Sequence, residues 1–143
     1  MKLLDFLKDR ILVLDGGMGT LLQARGLLPG ELPERWNLSH PEVIREIHRA
    51  YYDAGSHVVS TNTFGASVLK FGEDELERIV CAAIDCARRA QRESTGKQPK
   101  WVHWISDPSD GCSDPTGILI SRMRWRFLPR RFVSVCVTAR ILS

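Results

Sequence analysis

An aspartate followed at once by two glycines, Asp15-Gly16-Gly17, closes the apolar run Ile11-Leu12-Val13-Leu14 and leads into Met18-Gly19-Thr20. A carboxylate there sits at the edge where a strand formed by that run ends, and glycines let a ligand approach the backbone closely. The same residues equally suit a plainer role, a tight strand-to-helix turn whose Asp caps the helix. A second polar cluster, Thr61-Asn62-Thr63, follows the run His57-Val58-Val59-Ser60. Its polar side chains are expected to emerge at the same end of the sheet as Asp15, and Asn62 and Thr63 equally suit loop-capping hydrogen bonds. The four cysteines, Cys81, Cys86, Cys112 and Cys136, form no Cys-x-x-Cys pair and have no histidine at zinc-finger spacing. Their spacing encodes neither a metal site nor a disulfide, and no catalytic residue is assigned.

The elements that must position these residues alternate. A short amphipathic helix is expected over 2–8 and a buried strand over 11–15, with a helix from about 18 to 25 ended by Gly26. Residues 27–40 hold two prolines and a glycine without a period, and read as a long loop. Pro41 suits the first position of a helix whose apolar residues Val43, Ile44, Ile47, Ala50 and Tyr51 recur at helical spacing up to Ala54-Gly55. Residues 57–60 form the second strand, so Thr61 and Asn62 fall at its C-terminal end and Thr63-Phe64-Gly65-Ala66 begins the loop beyond. Glu73-Asp74-Glu75 opens a third long helix with a stripe of Leu76, Ile79, Val80, Ala83, Ile84 and Ala87, which also carries Cys81 and Cys86. A turn over 95–99 precedes a third strand that starts at Trp101-Val102. Strand, helix and strand joined by short links make βαβ units, hence an α/β fold with a parallel sheet. In such sheets the loops after the strands carry the function, so Asp15 and Asn62 are expected at one common edge.

Composition narrows the choice further. The chain has 143 residues, 43% of them hydrophobic, which is one domain's length with enough apolar content for a core. No apolar run is long enough to span a membrane, and charges interrupt the apolar residues of the first ten positions, so a cytoplasmic setting is expected. The net charge of +3 is local: residues 1–102 are balanced, and the six arginines and three aspartates of 103–143 hold the whole excess. A global argument for nucleic acid therefore fails.

Taken together, Leu14-Asp15-Gly16-Gly17-Met18-Gly19-Thr20, Trp36-Asn37, the His40-Pro41 helix start and Thr61-Asn62-Thr63-Phe64-Gly65-Ala66 resemble the homocysteine S-methyltransferase family. Within it, the likeness is greatest to the amino-terminal homocysteine-binding domain of cobalamin-dependent methionine synthases, and it covers residues from about 5 to 102. The resemblance implies a (β/α)8 TIM barrel, of which this chain holds an incomplete amino-terminal portion, and methyl transfer to homocysteine bound to zinc as its thiolate. Metal coordination deprotonates a thiol at neutral pH and leaves it nucleophilic. By the same resemblance Asp15 holds the substrate ammonium, Gly16 and Gly17 offer backbone to its amino-acid group, and Asn62 and Thr63 line the pocket. The family's zinc ligands are three cysteines on later strands, which no cysteine of this chain matches. Cobalamin and folate would belong to further domains, and the methyl donor stays open among methylcobalamin, betaine and S-methylmethionine. The oligomeric state is not indicated.

After Val102 the alternation stops. The tail reads His-Trp-Ile-Ser-Asp-Pro-Ser-Asp-Gly and later Arg-Met-Arg-Trp-Arg-Phe-Leu-Pro-Arg-Arg. Shifted by one base, with mainly the first base of each new codon open to choice, it yields Val-Ala-Leu-Asp-Ile-Gly-Pro and then an acidic amphipathic stretch. That is the continuation the resemblance implies. Residues 1–102 are therefore read as part of the barrel domain and 103–143 as an out-of-frame tail. The incomplete barrel is expected to be poorly stable and without methyltransferase activity. Two other classes remain. One is a different barrel enzyme that cradles phosphate at Gly16–Thr20, though no Lys or Arg lies in that turn. The other is a nucleic-acid binder built on Arg122, Arg124, Trp125, Arg126, Arg130 and Arg131.

Overall fold

The computed structural model describes residues 3–105. Residues 1–11 and 12–111 fall in different compact units. In the first, helix α1 (Leu3–Phe6) is shorter than the helix expected over 2–8. Its Asp5 pairs with Lys8 at 2.9 Å, and the Arg10 guanidinium lies over the Phe6 ring.

In the second unit a parallel pair, β1 (Val58–Ser60) and β2 (Trp101–His103), is joined register for register: Val58 to Trp101, Val59 to Val102, Ser60 to His103. On the other edge of β1, Leu14 forms a single parallel bridge to Val58. Here the expected strand over 11–15 is corrected. The segment lies beside β1, with Asp15 N–H donating to the Val58 carbonyl at 3.0 Å and His57 N–H to the Val13 carbonyl at 2.8 Å, yet it pairs too briefly to form a strand. The physical reason is its surroundings: Val13 and Leu14 are 47% and 58% exposed, whereas parallel strands persist where both faces are covered. The β1 and β2 pair therefore shows an α/β arrangement, and a closed barrel is not formed by the described residues.

Helix α2 (Gly19–Ala24) ends at Gly26, whose φ is 107°. The stretch expected to be a plain loop over 27–40 is partly helical: a 3-10 turn (Pro33–Arg35) runs into α3 (Trp36–Ser39). Trp36 is buried and stacks on His40 with ring centroids 4.3 Å apart. That contact orders a sequence whose prolines disguise its helical turns.

Helix α4 (Pro41–Asp53) starts at Pro41, but its buried stripe is Ile44, Ile47, His48 and Tyr52, with Ala50 exposed. Helix α5 (Val68–Glu93) bends at Gly72, where φ is 70° and ψ is 169°, so the acidic residues Glu73-Asp74-Glu75 open its second, longer part. A side chain at Gly72 would be strained by that left-handed backbone. Ile79, Val80, Ala83, Ile84, Cys86, Ala87 and Ala90 form the buried face of α5.

Two apolar clusters hold the layers together. Leu22, Leu27, Trp36, Ile44, Ile47 and Cys86 pack between α2, α3, α4 and α5. Tyr52, Val59, Ala87 and Ala90 fix α4 and α5 to β1. The turn after α5 is tied back to α4, since Asp53 accepts from Thr95 N–H and Oγ1, and Gln98 donates to the Tyr52 and Ser56 carbonyls. Tyr52 Oη donates to the Trp101 carbonyl at 2.8 Å, which sets β2 against α4. Among the described residues no helix is long and apolar enough to cross a membrane.

Candidate functional site

Asp15 lies where the sequence pattern puts it, at the C-terminal end of its segment, and its carboxylate reaches across to the last residue of β1. Ser60 N–H donates to Asp15 Oδ2 at 2.8 Å and Ser60 Oγ to Oδ1 at 3.2 Å. Ser60 Oγ also lies 3.4 Å from His103 Nδ1, so the three side chains form a row across neighbouring parallel segments. Partial burial pushes the Asp15 carboxyl above its ordinary value, against the pull of the two Ser60 hydrogen bonds and the nearby His103.

The glycine turn beside it is backed by Tyr51 from α4. Tyr51 Oη donates to the Gly17 carbonyl at 3.2 Å, and a Cβ on Gly16 would come within 3.0 Å of that same oxygen. Gly16 thus lets the turn approach the tyrosine closely.

Asn62 and Thr63 sit at the same end of β1, but their side chains are engaged within the protein. Asn62 Nδ2 donates to the Pro33 carbonyl at 2.7 Å, and Thr63 Oγ1 donates to the Ile105 carbonyl at 2.5 Å while lying 2.7 Å from Thr61 Oγ1. Both residues are buried. A buried clamp completes the wall: Asn37 Nδ2 donates to the Glu34 and Asn62 carbonyls at 2.8 and 2.7 Å, and Glu34 Oε1 accepts Gly65 N–H at 2.8 Å.

Ser60, Tyr51, Glu34 and Asn37 are therefore site-building residues that the sequence pattern did not assign as such. Ser60 had a legible signal, since it is the polar end of an apolar run that shares a strand face with Val58. Glu34 had none, because its partner is a backbone N–H 31 residues away.

Among the described residues, no three His, Cys, Asp or Glu side chains gather to hold a metal ion. Cys81 is exposed and Cys86 buried on α5. The Cys86 thiol approaches the Pro41 carbonyl, and burial pushes it up to about 11. Buried on α5 and outside any such cluster, Cys86 has no ligand set to join among the described residues. Cys112, Cys136 and the basic stretch Arg122–Arg131 lie outside the described residues.

Parallel βα units with a carboxylate, a glycine turn and a polar loop gathered at their C-terminal ends define an α/β protein of the kind that binds ligands at a strand edge. The profile described as "Homocysteine S-methyltransferase" matches residues 12–124. The chain belongs to that family, one of methyltransferase enzymes. It is 40% identical over 80 residues to a methionine synthase of Mycobacterium tuberculosis, a span of 52% of this chain and 7% of that protein. It is 35% identical over 103 residues to the methionine synthase of Mycobacterium leprae, covering 65% of this chain and 8% of the relative. Its fold is similar to crystal structures of the homocysteine methyltransferase MmuM from Escherichia coli. The metallated form gives a TM-score of 0.64 at 24% identity over 75% of this chain and 41% of that one. The apo form gives 0.56 at 31% identity over 71% and 37%. The chain thus spans under a tenth of these methionine synthases and about two fifths of the solved enzyme.

Proposed function

We propose that this chain forms the substrate-side part of a homocysteine-binding barrel. The observation that carries the reading is the Asp15 carboxylate, half-buried at a strand end and held by Ser60 beside the Gly16-Gly17 turn. An ammonium arriving there meets a partly desolvated carboxylate, which favours an amino-acid ligand over a neutral one. Gly16 and Gly17 present backbone to the amino-acid group, and Asn62 and Thr63 act by holding the pocket wall. A cytoplasmic setting, where thiols stay reduced, suits a thiol substrate.

In the family reading, zinc supplies the activated thiolate of homocysteine. The described residues do not fit that metal, and none is assigned to cobalamin or folate. On this reading residues 1–102 belong to the barrel and 103–143 are an out-of-frame tail, and the chain alone binds homocysteine without methylating it. The family match extends to residue 124, which makes the coding DNA across codon 102 the deciding observation for the tail. An intact frame encoding this tail in independent isolates overturns that part.

The binding test is a calorimetric or NMR titration of the full chain with L-homocysteine and with 4-sulfanylbutanoate, which lacks the amine. Binding of homocysteine that Asp15→Asn abolishes, with the desamino compound unaffected by the substitution, supports the reading. Equal responses of the two ligands to Asp15→Asn overturn it. Methionine formation by the purified chain, with any of the three methyl donors supplied, overturns the inactivity.

A further inference from the structure

We propose that Ser60 is a positioning residue that fixes the Asp15 carboxylate in the plane in which it receives a ligand ammonium, an inference that rests on the homocysteine reading above. A carboxylate has about four acceptor positions, two on each oxygen. Ser60 fills one on each, Oδ2 through its backbone N–H at 2.8 Å and Oδ1 through its hydroxyl at 3.2 Å. The backbone N–H of Asp15 itself also leans on the carboxylate, and the remaining acceptor positions are left for the donors of an ammonium. Without such a double hold, the terminal torsion of aspartate is broad and the plane is undetermined.

The geometry explains why a serine serves at this place. Ser60 ends β1 in register with His103 of β2, and its side chain lies between Asp15 on one neighbouring segment and His103 on the other. A hydroxyl has one proton to donate, and the shorter contact, to the carboxylate, directs it to Asp15. Its oxygen can still accept from the imidazole, so one small side chain links the strand ends in a line. Alanine keeps the backbone donor and hence the β1 geometry, but releases Oδ1. Threonine keeps both donors.

The test follows the Asp15 side-chain carboxyl carbon by NMR through a pH titration of the full chain, with Asp15→Asn assigning the signal. Ser60→Ala is expected to move the Asp15 midpoint upwards, because the ionised form loses a hydrogen bond, and Ser60→Thr to restore it. Homocysteine affinity should fall roughly tenfold in Ser60→Ala, with the desamino ligand changed less than about twofold. A purely structural serine would move neither the midpoint nor the ratio of the two affinities. The titration requires no ligand, so an Asp15 midpoint indifferent to Ser60→Ala overturns the positioning role whatever homocysteine does. A Ser60-dependent midpoint in a chain that binds no homocysteine supports the role and sinks only the substrate reading. Equal losses for both ligands overturn the proposed effect on ammonium recognition.

Discussion

Asn37 and Asn62 are joined by one buried hydrogen bond, 2.7 Å from the Asn37 carboxamide nitrogen to the Asn62 carbonyl, and the same nitrogen holds the Glu34 carbonyl at 2.8 Å. A single NH2 group therefore fastens the 33–37 turn to the loop after β1. Both protons of that group are used, while Asn37 Oδ1 has no partner among the described residues. The donor end of Asn37 does the holding.

Asn37→Asp is therefore expected to be far worse than its shape suggests. It replaces the donor by a carboxylate oxygen facing two carbonyls at a site 1% exposed. Loss of both hydrogen bonds with burial of an unpaired charge should cost about 3 kcal/mol or more, and Asn37→Ala about 1–3 kcal/mol. Urea unfolding of the three chains measures both values. An aspartate variant no less stable than the alanine variant would show that the amide donor is not what matters.

Gly16→Ala is expected to destabilise the turn while Tyr51 keeps its hydroxyl. In Gly16→Ala the new Cβ lies 3.0 Å from Tyr51 Oη, and either the turn or the ring must shift, at the expense of the bond to the Gly17 carbonyl. A loss of about 1–2 kcal/mol follows from the overpacking and the weakened hydrogen bond. The double variant Gly16→Ala with Tyr51→Phe relieves the clash, since the next ring atom stands 3.5 Å away. Its stability should exceed the sum of the single losses by about 0.5–1 kcal/mol in a double-mutant cycle. Strict additivity would remove the steric account.

Much of this was readable from residue pattern, and the exceptions have definite causes. Pro41, Gly26 and the acidic cluster Glu73-Asp74-Glu75 mark helix ends through local backbone chemistry, and the ends lie there. The buried face of α4 is turned from the Ala50 side towards His48 and Tyr52 because Tyr52 donates to Trp101, 49 residues later. A polar hydroxyl and an imidazole in the core are invisible to a hydrophobic count. Val13-Leu14 reads as a strand because its residues favour one, but a strand also needs neighbours, and among the described residues only β1 stands beside it. In the site, Asp15 and the glycine turn were legible as local signals. Ser60 carried a weaker one as the polar end of its strand, whereas the partners of Glu34 and Asn37, Gly65 and Asn62, lie too far along the chain to be read from it.

Acid should weaken homocysteine binding before it touches ordinary surface carboxylates. Burial raises the Asp15 carboxyl above 3.8, with Ser60 and His103 opposing. Binding needs the ionised form, so affinity is lost as pH falls through that raised value. The sign for stability is opposite: the folded chain holds this proton more tightly than the unfolded one, so protonating Asp15 relieves a cost of folding. Dissociation constants measured from pH 7 downwards should show the loss, and Asp15→Asn should be weak and flat over the same range. An affinity that follows pH equally in both proteins would exclude Asp15 as the titrating group.

His48 sets the opposite pH dependence for the fold itself. The ring is fully buried on α4, neither nitrogen has a hydrogen-bond partner among the described residues, and desolvation lowers it from 6.5 to about 4. Between those values the unfolded chain binds a proton that the folded chain refuses, so unfolding free energy falls as pH is lowered through the window. The shift corresponds to a loss of about 3 kcal/mol, complete near pH 4. His48→Leu removes the titrating group and keeps an apolar side chain among Ile44, Ile47 and Tyr52. The expected result is a flatter profile from pH 6.5 to 4 in urea unfolding, with the variant overtaking the parent in acid. A slope unchanged by the substitution would place the acid sensitivity elsewhere.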